Sequence, residues 1–263
     1  MLRRLIALVL LTTAWPAMAH EFWLEPLAYR VAPGERIAAR ARNGEFFEGV
    51  ELSYSARGYA QSGIALGDAT GRLMGDNGQR PAVQTRPLGP GLNILYHTST
   101  ASRLTYDDLT KFEAFLRGKR LEAALAQHLA EGLPTQDISE GYFRFAKALI
   151  AVGDGQGSDR ALGLGFELVA ETNPYTDQGD TRFRLLYRGQ PRANAPAFVF
   201  LKRGEAVEKI ELTTDAQGRF SVPSGPAEVM VNAVMIRPSS SRMREQMGTI
   251  WTTLWASTTY RVF

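Results

Sequence analysis

From Phe22 to about Thr100, apolar positions come in short runs cut by turn residues. Tyr29-Arg30-Val31 leads into Ala32-Pro33-Gly34-Glu35, and Arg36-Ile37-Ala38-Ala39-Arg40 alternates. Asn43-Gly44, Gly67-Asp68 and Asp76-Asn77-Gly78 carry turn chemistry. Leu92 to Thr98, entered through Gly89-Pro90-Gly91, reads as a strand. Short strands at this spacing predict an antiparallel sandwich over residues 20–104.

The period changes at Thr105. Thr105-Tyr106-Asp107-Asp108 resembles a helix start, with a hydroxyl cap and acids in the first turn. Leu109, Phe112 and Leu116 recur at helical spacing, Gly118 interrupts, Leu121, Leu125 and Leu129 resume, and Gly132-Leu133-Pro134 stops the run. A second helix is predicted over Ser139–Ile150, with Tyr142, Phe145, Ala146 and Leu149 on one face. Gly153-Asp154-Gly155-Gln156-Gly157-Ser158 reads as a linker. Residues 105–158 are thus a helical connecting segment.

Beyond it the period returns to two. Arg182-Phe183-Arg184-Leu185 alternates, and Ala197-Phe198-Val199-Phe200-Leu201 has the continuous apolar run of a strand buried on both faces. Val207–Leu212 and Arg219–Val222 flank the turn Asp215-Ala216-Gln217-Gly218. Glu228–Ile236 and Trp251–Val262 supply the last strands, with a loop or short helix over Pro238–Gly248. The predicted fold is mainly β: two Ig-like or transthyretin-like sandwiches, 20–104 and 159–263, joined by the helical segment.

Composition bears chiefly on location. Arg3-Arg4, the apolar run Leu5–Leu11 and Ala17-Met18-Ala19 form the pattern of a cleavable export leader over residues 1–19. Its apolar run is shorter than the about 20 residues of a spanning helix. Cleavage after Ala19 would place His20 at the mature N-terminus of a periplasmic protein that does not span the membrane. Without Arg3 and Arg4 the chain carries 28 basic against 27 acidic residues. No basic stripe points to nucleic acid. The absence of cysteine excludes disulfides, thiolate ligands and cysteine nucleophiles.

Four pieces in order carry a family resemblance: His20-Glu21-Phe22-Trp23-Leu24-Glu25-Pro26; Tyr142-Phe143-Arg144-Phe145-Ala146-Lys147-Ala148-Leu149-Ile150; Gly163–Val169 followed by Asn173-Pro174; and Gly189-Gln190-Pro191 with Thr214-Asp215-Ala216-Gln217-Gly218-Arg219-Phe220. Together they resemble the exported DUF4198 family. The last hairpin also resembles those of transthyretin-like and Cna-B-like sandwiches. The family is grouped with periplasmic components of nickel and cobalt uptake, so the resemblance implies metal handling. Here Val231–Ile236 lacks the histidine expected in that strand of metal-handling relatives.

His20 is the sharpest chemical feature. A terminal histidine can chelate through its α-amine and imidazole, nitrogen donors that suit copper and nickel. Two donors need a third, and His97 is the candidate; His128 flanks the apolar stripe of a helix. The bland alternative is that His20 packs or solvates beside Trp23. Met243 and Met247, four apart, would suit Cu(I) or simply pack. Asp107-Asp108 reads as helix-start acids, and Glu45, Glu48 and Glu51 as solvated carboxylates or oxygen ligands. The Asp154–Asp159 loop lacks EF-hand spacing. Trp251 and Trp255 share a face, read as core. No Gly-x-Ser-x-Gly elbow or phosphate loop occurs.

The leading expectation is a non-enzymatic periplasmic binding or accessory protein handling nickel, cobalt or copper. Its metal ligands are His20 and His97, and an inner-membrane transporter or envelope protein is its partner. The alternative is a metal-free structural or interaction module of the cell envelope.

Overall fold

Strand periodicity governs most of the chain. The computed structural model describes residues 20–263; the leader read at 1–19 lies outside them. The chain runs through β1 (Glu21–Pro26), β2 (Arg30–Val31), β3 (Ile37–Glu45), β4 (Glu48–Leu52), β5 (Tyr59–Leu66), β6 (Ala69–Arg72), β7 (Val83–Thr85), β8 (Gly91–Ser99) and β9 (Ser102–Asp108). Helices α1 (Leu109–Gly118) and α2 (Glu122–Ala130) follow, and then the 17-residue strand β10 (Gln136–Val152). The second half holds β11 (Phe166–Ala170), β12 (Thr181–Tyr187), β13 (Gln190–Pro191), β14 (Pro196–Arg203), β15 (Ala206–Thr213), β16 (Arg219–Val222) and β17 (Ala227–Pro238). Helix α3 (Ser241–Met247) and β18 (Trp251–Val262) complete it.

Three local expectations are corrected. Ser139–Ile150 is part of strand β10, not a helix. Its apolar residues fit helical spacing only because the strand is buried on both faces, which makes an apolar run continuous. Thr105 is not a helix cap: it lies in β9, where Leu104 and Tyr106 pair with Glu140 and Ile138, and Asp108 caps α1 through the Lys111 N–H at 2.9 Å. Asn43-Gly44 is not a turn. Gly44 faces Gly49 across the β3–β4 ladder, where a Cβ would stand 1.9 Å from the Glu48 carbonyl oxygen. The turn falls instead on Phe46-Phe47, both with positive φ (52° and 62°).

One ten-stranded sheet unites the two halves. Its path runs β15-β14-β17-β18-β10-β8-β5-β6, with β2 and β9 also pairing β10. Strand β10 joins β18 in parallel and β8 antiparallel, so it is the seam between late and early strands. A four-stranded sheet covers each face. On β10, Phe145 and Leu149 join Leu168, Phe183 and Leu185 of the β11–β12–β13–β16 sheet, with Val199, Val231 and Tyr260. Ala146, Ala148 and Ile150, of opposite parity, join Phe22, Leu24, Ile37 and Ala41 of the β1–β3–β4–β7 sheet. The period of two distributes one strand's side chains between the two sandwiches. Trp251 and Trp255 face α1 and α2, packing with Phe112, Phe115 and Leu125, as their shared parity predicts.

The segment read as a linker and the chain that follows it are pinned from beneath. Lys147, 1% exposed, projects from β10 to Asp159 at 3.0 Å and Glu167 at 2.7 Å. Asp159 also accepts from the Arg160 and Ala170 N–H groups, and Glu167 from those of Leu162 and Leu164. Asn173 donates to the Gly155 and Gly157 carbonyls.

Candidate functional site

The opening motif forms a strand anchored on every side. Phe22 and Leu24 enter the core beneath β10, while Trp23, 0% exposed, packs with Phe47, Phe198, Phe200 and Met230. Burial of one such side chain contributes about 1.5–3 kcal/mol. The free edge of β1 is covered by β18, whose Ser257 and Thr259 hydroxyls donate to the Phe22 and Leu24 carbonyls at 2.7 and 2.6 Å. Two strand-edge carbonyls are thereby satisfied without another strand.

This anchoring fixes His20 at the entry to β1. Glu21 pairs with Gly44 in the ladder, so the next step of the register brings His20 to Glu45. Nδ1 of His20 lies 3.7 Å from a Glu45 carboxylate oxygen and, shielded from solvent, has no hydrogen-bond partner among the described residues. Lys119 donates to Glu21 at 2.5 Å and stands 3.9 Å from Glu45. Glu21 is buried and held by that lysine, whereas Glu45 remains partly open. The Phe46-Phe47 turn holds Glu45 in place. Two aromatic residues at positive φ are strained, by about 1–3 kcal/mol each. Phe47 offsets this by burial against Trp23, and Phe46 packs edge-on against Phe200 at 5.2 Å.

His97 occupies a different setting. It is 3% exposed, exchanges a hydrogen bond with Ser62 through Nδ1 at 3.0 Å, and packs against Phe22 and Tyr59. Burial, reinforced by the nearby Arg144 charge, lowers its pKa to about 3, so the imidazole is neutral. No hydrogen bond or ion pair links His20 to His97. Among the described residues, no group of three or more His, Asp or Glu side chains is placed to hold a metal.

The remaining candidates have structural roles. His128 accepts from the Trp251 indole at Nδ1, 3.0 Å, and its Nε2 lies 3.0 Å from the Pro134 carbonyl. Nδ1 ties α2 to β18, and Nε2 ties it to the turn that follows the helix. Met243 lies in α3 and packs over Gly141, whose missing Cβ makes room for its methyl group. Asp107 pairs with Lys111, Glu51 with Arg40 at 3.5 Å, and Glu48 is exposed. Asp159 lies in the core rather than in a solvated loop.

Sequence reasoning missed the half-buried Arg144 and the buried Lys147, Asp159 and Glu167. The available signal was two cations inside the otherwise apolar run Tyr142–Ile150, which require compensation if the run is buried on both faces.

The family model for DUF4198, described as a domain of unknown function, matches residues 17–236. The chain belongs to the DUF4198 family. The match takes in β1 and the whole of β10 and ends before α3 and β18. No curated protein matches the chain.

Proposed function

We propose that this DUF4198 member is an exported, non-catalytic binding or accessory protein that handles nickel, cobalt or copper. Its metal-binding end is the mature N-terminus. The observation that carries the reading is the His20 Nδ1 atom, buried, without a hydrogen bond and 3.7 Å from Glu45. Two ligands sharing one first-row ion stand about 3–4 Å apart, given metal–ligand bonds of about 2.0–2.2 Å. After cleavage behind Ala19, the α-amine and Nδ1 of His20 would form one chelate ring and Glu45 would supply an oxygen. This donor set suits borderline divalent ions. Glu45 takes the role expected of His97, whose Nδ1 is occupied by Ser62 and whose neighbour is a cation. Lys119 sets the affinity, because its ammonium competes for Glu45.

Calorimetry with Ni²⁺, Co²⁺ and Cu²⁺ on chain beginning at His20 tests this. Tight binding is expected, lost when one residue is added before His20 and weakened in Glu45→Gln. Absence of binding by the His20-terminated chain would refute it. The metal-free reading, an envelope interaction module, is favoured by exposed Phe46 and Val50 on the β3–β4 hairpin, 43% and 61% accessible. It would then stand in its place, with an inner-membrane or envelope protein as partner.

A further inference from the structure

A second place in the molecule has the chemistry of a ligand site and is independent of the metal reading. Between the β1–β3–β4–β7 sheet and the early strands of the long sheet lies a pocket of about 330 Å³. Its wall includes Phe22, Tyr59 and His97, already in ring contact, and Arg144. The size is at the lower end of small-molecule pockets, about 300–1,000 Å³, and beside the aromatic wall Ser53, Ser55, Ser99, Thr100 and Ser102 give the pocket a polar side.

Arg144 is the unusual member. It projects from β10 over the Phe22 and Tyr142 rings, 5.8 and 4.7 Å from their centroids. One terminal nitrogen donates to the Asn43 side chain at 2.7 Å. Its Nε is shielded from solvent and has no acceptor, and it forms no ion pair with any described residue. Glu140 acts on it only as a more distant charge. The Tyr59 hydroxyl is likewise buried without a partner. Burial pushes that phenol up to about 12, so it keeps its proton and can donate. Two buried donors without acceptors, one of them a cation, on an aromatic wall form a complementary surface for an anion.

We propose that this pocket binds a small organic carboxylate, with the carboxylate against Arg144 and the apolar body against the Phe22–Tyr59–His97 wall. A single negative charge fits better than a dianion. His97 is neutral, so Arg144 is the one deep cation, while Arg80 lines the pocket from an exposed position. Glu51 also lines it and would repel a second charge. Its own carboxylate is paired with Arg40.

The test uses chain beginning at His20, in EDTA so that no metal contributes, with benzoate as the probe, benzamide as its neutral counterpart and inorganic phosphate as a compact oxyanion. Calorimetry and thermal melting should show benzoate binding and raising the melting temperature. Benzamide and phosphate should bind at least about tenfold more weakly, the loss expected for one hydrogen bond to a charged group. Arg144→Gln should lower benzoate affinity by about tenfold or more. Tyr59→Phe keeps the ring and removes only the hydroxyl, so it should weaken benzoate in a folded protein even if the arginine variant does not fold. The proposal is overturned if benzoate fails to bind, if benzamide or phosphate binds as well, or if Tyr59→Phe leaves benzoate affinity unchanged.

Discussion

Arg144 and Lys147 lie three residues apart on one strand, face opposite sandwiches, and meet burial in opposite ways. Lys147 meets two carboxylates, Asp159 and Glu167, each also held by two backbone N–H groups. Arg144 meets two aromatic faces and one amide oxygen, with its Nε unpartnered. A buried charge costs several kcal/mol unless neighbours compensate it. Full compensation marks Lys147 as part of the framework. Its absence marks Arg144 as a group whose partner comes from outside the chain.

The largest effect should come from breaking the compensated side. Lys147→Met conserves length and apolar stem but leaves Asp159 and Glu167 buried without a cation. A loss of about 3–5 kcal/mol is expected in urea unfolding. Burial already raises the Asp159 pKa, with Lys147 opposing. Without that lysine the raised folded-state pKa moves higher. The variant should therefore recover stability as pH falls and Asp159 protonates, and lose it as pH rises. A pH-independent loss below about 1 kcal/mol would show that the triad is not what fastens the 153–170 segment to β10.

Glu140, four residues before Arg144, sharpens the contrast. It is fully buried and accepts hydrogen bonds from Tyr106 at 2.8 Å and from Thr253, with no ion pair. Hydroxyls do not replace a counter-charge, and burial raises its pKa from 4.5 to about 7. A carboxyl with a raised folded-state pKa stabilises the fold fully below its unfolded value. That stability is lost as pH rises from 4.5 through about 7. The effect amounts to on the order of 3 kcal/mol. Urea midpoints should fall over this window in the wild type and more shallowly in Glu140→Gln. Equal slopes would mean that Glu140 is ionised at no cost, through the Arg144 charge, and that Arg144 is compensated after all.

These three charges also explain what the sequence revealed and what it concealed. The mainly β architecture was legible because alternation and turn residues persist on both sides of the helices. The seam was not, because β10 has neighbours above, below and beside it, and its apolar run fits a helix as well as a doubly buried strand. With β10 read as a helix, nothing tied Lys147 to Asp159, which the reading placed at the start of the second sandwich, or Arg144 to the early strands. At the N-terminus, His20 stood out because it follows the segment read as a leader. Its neighbour Glu45 depends on the β1–β3 register and on a turn made by Phe46-Phe47. Aromatic residues give no turn signal, whereas Asn43-Gly44 gives a strong one inside a strand.

The smallest expected change in stability separates the two cations most sharply. If Arg144 is an uncompensated charge, replacing it with methionine removes a desolvated guanidinium and leaves an unbranched apolar chain against Phe22 and Tyr142. The lost hydrogen bond falls on Asn43, which is half-buried and can turn to water. Thermal and urea unfolding of Arg144→Met should therefore lie within about 1 kcal/mol of wild type or above it. Benzoate binding should disappear in the same protein. Stability retained with ligand lost is the signature of a residue kept for binding, at some cost to the fold. A destabilisation as large as that of Lys147→Met would instead place Arg144 in the framework, with Phe22, Tyr142 and Asn43 as sufficient partners.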